Sequence, residues 1–297
     1  MFTIINLSNV HRLKHMTRNS TRDTVVLSNR DYSEFPQIPK PGTIVGIDAS
    51  HNLIAKLPSF ASFGCLRYLD LSYNRLTDLS PLSDAQSLRE LCVSHNRLES
   101  FDFIQSLSQL EIFNGSYNNV GEVTVAFPDS LIDVDLSHNV LSSLEFLQNF
   151  IPKGIETLDV SGNAIDELFS LRFVSVFGQL KSLRVGLLAD NENLPVIQFV
   201  KHLCPSLEFF DGTECIDDEE DTFDIDILYQ ILVNGSENEL RDFLQNPSPQ
   251  IRWDDPVFID FDDSYPDTPL KTLRTRIDAL ESQIEEREPV AKIDPLV

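Results

Sequence analysis

LRYLDLSYNRL, residues 66–76, decides the architecture of this chain. Leu69 and Leu71 alternate with Tyr68, Asp70 and Ser72, the period of two that marks a short strand with one buried face. The same lettering returns as LRELCVSHNRL at 88–98 and LIDVDLSHNVL at 131–141, giving the pattern L-x-x-L-x-L-x-x-N-x-L. Aligned on its asparagine, the pattern runs through Asn52, Asn74, Asn96, Asn118, Asn139, Asn163 and Asn191, at successive spacings of 22, 22, 22, 21, 24 and 28. One step earlier, TVVLSNRDYSEF (24–35) puts Val25, Leu27, Tyr32 and Phe35 on the apolar positions. A degenerate unit therefore opens the array, and about eight units span 22–194.

A single unit cannot bury its apolar face, so the units must stack with their strands parallel. Leu66, Leu76, Leu79 and Leu82 supply further layers of the same core. The asparagine sits where the chain leaves the strand, and its amide can donate to backbone carbonyls and accept an N–H that no strand ladder reaches. Units of 22 residues leave little room after the strand, so turns and short 3₁₀ segments are expected opposite the sheet. Only the longer sixth unit, with DELFSLRFVSVFGQL at 166–180, has space for a proper helix. Ala49 and Gly115 break the pattern at the second buried site of the strand. Gly packs nothing there; the large neighbour Phe113 is the expected compensation, with local looseness around the fourth repeat as the alternative.

These units resemble leucine-rich repeats of the short 22-residue class named for a regulator of protein phosphatase 1. LPVIQFVKHLCPSLEFFDGTECIDDEE (194–220) resembles the C-terminal cap of many intracellular members, through Val196, Ile197, Leu203, Pro205, Leu207 and Asp211-Gly212. The resemblance implies an α/β fold: a leucine-rich-repeat solenoid with a curved parallel sheet on the concave face, and protein partners on that face. Within the class it leaves open a phosphatase regulator, a spliceosomal subunit, an acidic nuclear phosphoprotein, a tubulin-folding cofactor or an axonemal light chain. No basic-x-Val-x-Phe docking peptide occurs in the sequence.

Residues between the buried leucines point out of the concave sheet and form columns. The central column reads Asp48, Asp70, Cys92, Asn114, Asp135, Asp159; the next reads Ser50, Ser72, Ser94, Ser116, Ser137, Ser161. Beside the asparagines run His51, Tyr73, His95, Tyr117 and His138, and a further column holds Tyr68, Glu90, Ile112, Asp133 and Thr157. Serine reads as a turn former. The aspartates read either as solvated consensus residues or as a docking surface, since like charges roughly 4.8 Å apart repel and a cationic partner would relieve them. The expected partner-binding set is Asp48, His51, Tyr68, Asp70, Tyr73, Glu90, His95, Tyr117, Asp133, Asp135, His138 and Asp159. Histidines two strands apart stand about 10 Å from each other, too far to share a zinc at about 2.0 Å per ligand.

The 297 residues carry 23 Lys+Arg against 47 Asp+Glu, a net charge of −24. That balance argues against nucleic-acid phosphates and anionic membranes. No GxSxG, HExxH or Gly-rich phosphate loop appears, so the expectation is a non-enzymatic binding protein without cofactor or metal. Cys65, Cys92, Cys204 and Cys215 form no CxxC pair, and the N-terminus lacks the order of a signal peptide. The expected place is therefore the cytoplasm, with a nuclear or cytoskeletal site as the alternative.

Seven segments follow: an N-terminal piece (1–21), the repeats (22–194), the cap (195–221), short acidic helices (222–246), a Pro/Asp-rich linker (247–268), an amphipathic helix (269–288) and a tail (289–297). From Glu208 to Asp267 there are 19 acidic residues against two basic ones, so this helical extension is expected to be partly disordered. SENELRDFLQN opens on a capping box from Ser236 to Glu239. Leu270, Leu273, Ile277, Leu280 and Ile284 form a heptad seam. Two strongly acidic bodies repel, so a monomer whose seam meets a partner helix is expected. The alternative is a structural or ciliary component anchored by that helix.

Overall fold

The computed structural model describes residues 23–165, 167–186, 194–215 and 225–245. The N-terminal piece, Asn191, the linker and the seam residues Leu270, Leu273, Ile277, Leu280 and Ile284 lie outside the described residues.

Ten strands form one sheet in chain order. They are β1 (Thr24–Val26), β2 (Gly46–Asp48), β3 (Tyr68–Asp70), β4 (Glu90–Cys92), β5 (Ile112–Asn114), β6 (Asp133–Asp135), β7 (Thr157–Asp159), β8 (Ser182–Arg184), β9 (Phe209–Phe210) and β10 (Thr213–Glu214). Pairing is parallel from β1 to β9, and β10 turns back antiparallel on β9. From β3 to β8 each three-residue strand buries its middle side chain and leaves the outer two half-exposed, as the period of two requires. Register matches Leu69 with Leu91, then Phe113, Val134, Leu158 and Leu183, so one apolar row runs the length of the sheet. Leu66, Leu71, Leu76, Leu79 and Leu82 close the core around it.

Each repeat is tied to the one before it by its asparagine. Asn74 Nδ2 donates to the carbonyls of Ala49, Leu71 and Ser72, and its Oδ1 accepts the Ile54 N–H at 3.0 Å. Asn96 repeats this with Leu71, Val93, Ser94 and Leu76, and Asn118 with Val93, Gly115, Ser116 and Leu98. Asn52, Asn139 and Asn163 also bridge backward, to Leu27, Gly115 and Leu136. Among the described residues no buried side-chain N or O atom is left without a partner.

Opposite the sheet run 3₁₀ turns at Pro41–Thr43, Ser80–Asp84 and Asp102–Ser106, and a four-residue helix α1 at Phe146–Asn149. The sixth unit departs from expectation: Leu168–Val176 is a nine-residue 3₁₀ run, not an α-helix. Its apolar residues explain the difference. Leu171, Val174 and Phe177 are buried at intervals of three, which suits three residues per turn. Arg172 lies over the rings of Phe169 and Phe173, at 4.1 and 4.6 Å, and shields the outer side.

The end of the array is covered by α2 (Leu194–Leu203), α3 (Ile225–Asn234) and α4 (Glu237–Gln245). Ser236 donates its N–H to Glu239 Oε2 at 2.7 Å, and the Glu239 N–H reaches Ser236 Oγ at 3.4 Å, so the capping box forms. Glu237, beside it, serves another segment. Its two carboxylate oxygens accept the N–H groups of Leu168 and Phe169, capping the long 3₁₀ run from 68 and 69 residues away. Among the described residues no helix is long and apolar enough to cross a membrane.

At Gly115 the missing side chain is a packing requirement. A Cβ there would stand 2.6 Å from Phe101 Cζ and 2.9 Å from Phe113 Cζ. Phe101, Phe113 and Phe127 meet edge to face around it, with centroids 5.2–6.5 Å apart. Phe113 is the expected compensation; Phe101, from the preceding unit's outer side, is the second half of it.

Two substitutions test this account. Asn74→Leu strands three carbonyls and an N–H at about 1–3 kcal/mol per unsatisfied group, so chemical denaturation should show a loss of at least about 2 kcal/mol. The exposed Thr77→Ala should stay within about 0.5 kcal/mol, and equal midpoints for the two would refute the ladder's role. Gly115→Val restores the repeat consensus yet should destabilise by about 1–3 kcal/mol through overpacking; a stabilised protein would show that the aromatic cluster yields.

Candidate functional site

The sheet face opposite the core carries the predicted residues in the columns that the register dictates. Asp48, Asp70, Cys92, Asn114, Asp135 and Asp159 follow one another across β2–β7, and Arg184 of β8 ends the row. Tyr68, Glu90, Ile112, Asp133 and Thr157 form the parallel row at the start of the strands, continued by Ser182 and Phe209.

The aspartates have an internal task as well as a surface one. Asp70 Oδ1 accepts both the N–H of Ser72 at 2.9 Å and its hydroxyl at 2.6 Å, closing the turn out of the strand. Asp48, Asp135 and Asp159 do the same for Ser50, Ser137 and Ser161. The serine column is thus mostly buried turn structure rather than contact surface. Asn114 shows that the turn does not need a charge, since its Oδ1 holds Ser116 in the same two bonds, and Cys92 Sγ meets Ser94 Oγ at 3.4 Å in the equivalent turn. Its Nδ2 then donates across the strand to Asp135 Oδ2 at 3.0 Å.

Holding a charge here is costly. Burial raises the Asp70 carboxyl above its ordinary value near 3.8, against the bonds from Ser72, and the Asp48 charge adds to the rise. Asp135 is raised by burial too, with Asp159 adding to it. Arg184 stands 3.8 Å from Asp159. Among the described residues no basic side chain pairs with Asp48, Asp70 or Asp135. At the strand entrance, by contrast, charges pair with each other: Arg89 with Glu111, and Lys181 with Glu156 at 2.8 Å. That outer row escaped the sequence reading because its members lie before the strand and vary in sign. Cys92 is half-buried within the aspartate column, where desolvation and the Asp70 charge push its thiol up to about 12, which disfavours the thiolate.

His51, Tyr73, His95, Tyr117 and His138 come together more closely than strand spacing alone requires. Their rings stack face to face with centroids 4.0–4.2 Å apart and planes 11–16° from parallel. All five residues have φ of 52–54°, the left-handed region that disfavours bulky side chains. The flanking positions hold residues at home there, Asn29 at φ 57° and Gly162 at φ 67°. Gly162 also closes the stack, since a Cβ on it would stand 2.5 Å from His138 Nδ1. Ring faces are covered by their neighbours, whereas edges are open: Tyr73 and Tyr117 are each 45% exposed. Alternation with tyrosine keeps successive histidines about 8 Å apart, so they do not converge on a shared ligand.

Residues 65–84 match the family model described as Leucine Rich Repeat. No curated protein matches the chain. Among solved structures, the leucine-rich repeat domain of APL1B is 23% identical, covering 71% of this chain and 58% of that one, with a TM-score of 0.48. The LRIM1/APL1C complex is 24% identical over 57% of this chain and 30% of its own, with a TM-score of 0.44. An internalin (InlF) from Listeria monocytogenes is 16% identical over 58% and 48%, with a TM-score of 0.43. The chain thus spans between about a third and three-fifths of these proteins.

The two-bond role of Asn114 yields a prediction for Asp70. A carboxyl raised in the folded state stabilises below its unfolded value near 3.8, and that contribution is lost as pH rises through the folded value. Asp70→Asn should therefore keep the turn and raise the melting temperature at neutral pH, with the gain shrinking toward about pH 3.5. A lower melting temperature at neutral pH would mean that the charge itself is structural. Repeat lettering, strand register and asparagine ladder all agree with the match at 65–84: the chain folds as a leucine-rich-repeat solenoid.

Proposed function

We propose that this chain is a non-enzymatic interaction module or regulatory subunit that binds a protein partner of basic surface on the concave face of its sheet. One observation carries the reading. Asp48, Asp70 and Asp135 stand in a row on the open face with no cation among the described residues to neutralise them. Burial makes the charges of Asp70 and Asp135 expensive, and a partner's Lys or Arg would offset the cost. The aromatic column beside them offers Tyr and His edges, amphipathic groups with few rotors that suit an interface. Glu90 and Asp133 extend the acidic surface toward the strand entrance. We place the activity in the cytoplasm on composition alone.

Photo-crosslinking of the full chain in cells tests this. A crosslinking residue at Tyr68 or Thr157, on the sheet face, should trap the same protein, and the yield should fall as salt is raised. One at the exposed Ser83, on the opposite side, should not. Trapping from Ser83 alone, or yields indifferent to salt, would move the interface off this face.

A further inference from the structure

Five stacked rings at left-handed backbone positions are an unusual expense for an exposed turn. Bulky residues are disfavoured in that backbone region, and ring stacking offsets some of the cost. Asparagine or glycine would hold the turn without that cost, as Asn29 and Gly162 do at either end. What the aromatic residues add is chemistry: three imidazoles, each separated from the next by a phenol ring, set along the aspartate column. Imidazole is the side chain whose charge changes near neutral pH.

We propose that the His/Tyr stack is a proton-operated flank of the concave face: at neutral pH the aspartate row beside it holds a Lys- or Arg-rich partner, and on acidification protonation of its imidazoles offsets that row and releases the partner. The inference rests on the reading of the concave face as the binding surface.

The geometry supports each step. His51 follows Asp48 by three residues, and His138 follows Asp135 likewise, whereas His95 follows Cys92, so two of the three imidazoles share a turn with a carboxylate of the column. Electrostatic coupling already runs between them, His51 favouring the charged form of Asp70 and His138 that of Asp135. His95, at the centre, is held below its ordinary value by burial and then by His138 and His51. The groups facing the stack are therefore the carboxylates of Asp70 and Asp135, the phenols of Tyr73 and Tyr117, and the backbone of Gly162 against His138. Arg75 and Arg97, both exposed, follow Tyr73 and His95 by two residues and add no negative charge. Protonation is compatible with the stack itself, because an imidazolium over a phenol ring gains a cation–π contact. Acid therefore changes the sign of the flank without dismantling it. Each imidazolium that forms sets a positive charge beside a row in which Asp48, Asp70 and Asp135 carry no Lys or Arg partner among the described residues.

The test uses the full chain and an octalysine peptide as the cationic probe, at fixed ionic strength. Amide resonances of Asp70, Asp135 and Asp159 report on the face, so peptide held elsewhere on this acidic chain does not enter the reading. Between about pH 7.5 and about pH 5.8 the affinity seen there should fall roughly tenfold. Linkage demands the converse: saturating peptide must move the titration midpoints of His51, His95 and His138 to lower pH. That measurement needs only the wild-type protein. Midpoints unmoved by bound peptide would overturn the proposal. The variant His51→Gln/His95→Gln/His138→Gln should bind with nearly constant affinity over the same window, and an unchanged tenfold loss in it would assign the pH effect to the carboxylates instead. If the peptide moves no resonance of the face at the higher pH, the concave-face reading itself fails.

Discussion

Everything in this molecule hangs on a buried primary amide. An extended strand three residues long satisfies few of its own backbone groups, and the sharp exit from it satisfies fewer. The asparagine at that exit accepts an N–H from the preceding unit and donates to a carbonyl of the same unit, in addition to its own turn. Leucines supply the larger share of the stabilisation, since burial scales with apolar area. Burial alone, though, would not set the register. A hydrogen-bonded amide placed every 21 to 24 residues does, because a slip of one residue would leave several buried backbone groups without partners.

With the inner side fixed in this way, the outer side of the sheet is free to vary, and it does so in columns. A carboxylate or an amide serves equally well to close the turn onto serine, as Asp70 and Asn114 show. Most positions nevertheless carry the charge, against the gradient of burial. The neighbouring column likewise carries rings where smaller residues would fold. Both choices sacrifice stability on the same face of the sheet, as functional surfaces often do.

Much of this was legible beforehand, and the limits have physical causes. The 22-residue period names the strands, because buried Leu69 and its equivalents must recur once per coil, and the columns follow from register. The turn chemistry is half visible: the serine column reads as turn structure, but only the bonds from Ser116 to Asn114 show that no charge is needed to close it. The 3₁₀ run at Leu168–Val176 was readable in the spacing of Leu171, Val174 and Phe177; segment length suggested an α-helix and misled. Phe101 could not be found from Gly115, since contact between them depends on how one unit's outer side leans on the next strand. Nor could the ring stack. Histidine and tyrosine do not announce positive φ as glycine does, and that backbone sign is what turns five side chains into one column.

The cap that Glu237 places on the long 3₁₀ run has a kinetic consequence. Links within the solenoid mostly join residues 20 to 27 apart, so the closure entropy of each is small and alike, and order can spread from any unit to its neighbour. The carboxylate of Glu237 closes a loop about three times as long. It can form only after the sixth unit presents its two N–H groups in the right place. The C-terminal helices are thus latecomers to folding, and contacts made after the transition state act on the rate of unfolding rather than of folding. They work as a latch on a spring already wound.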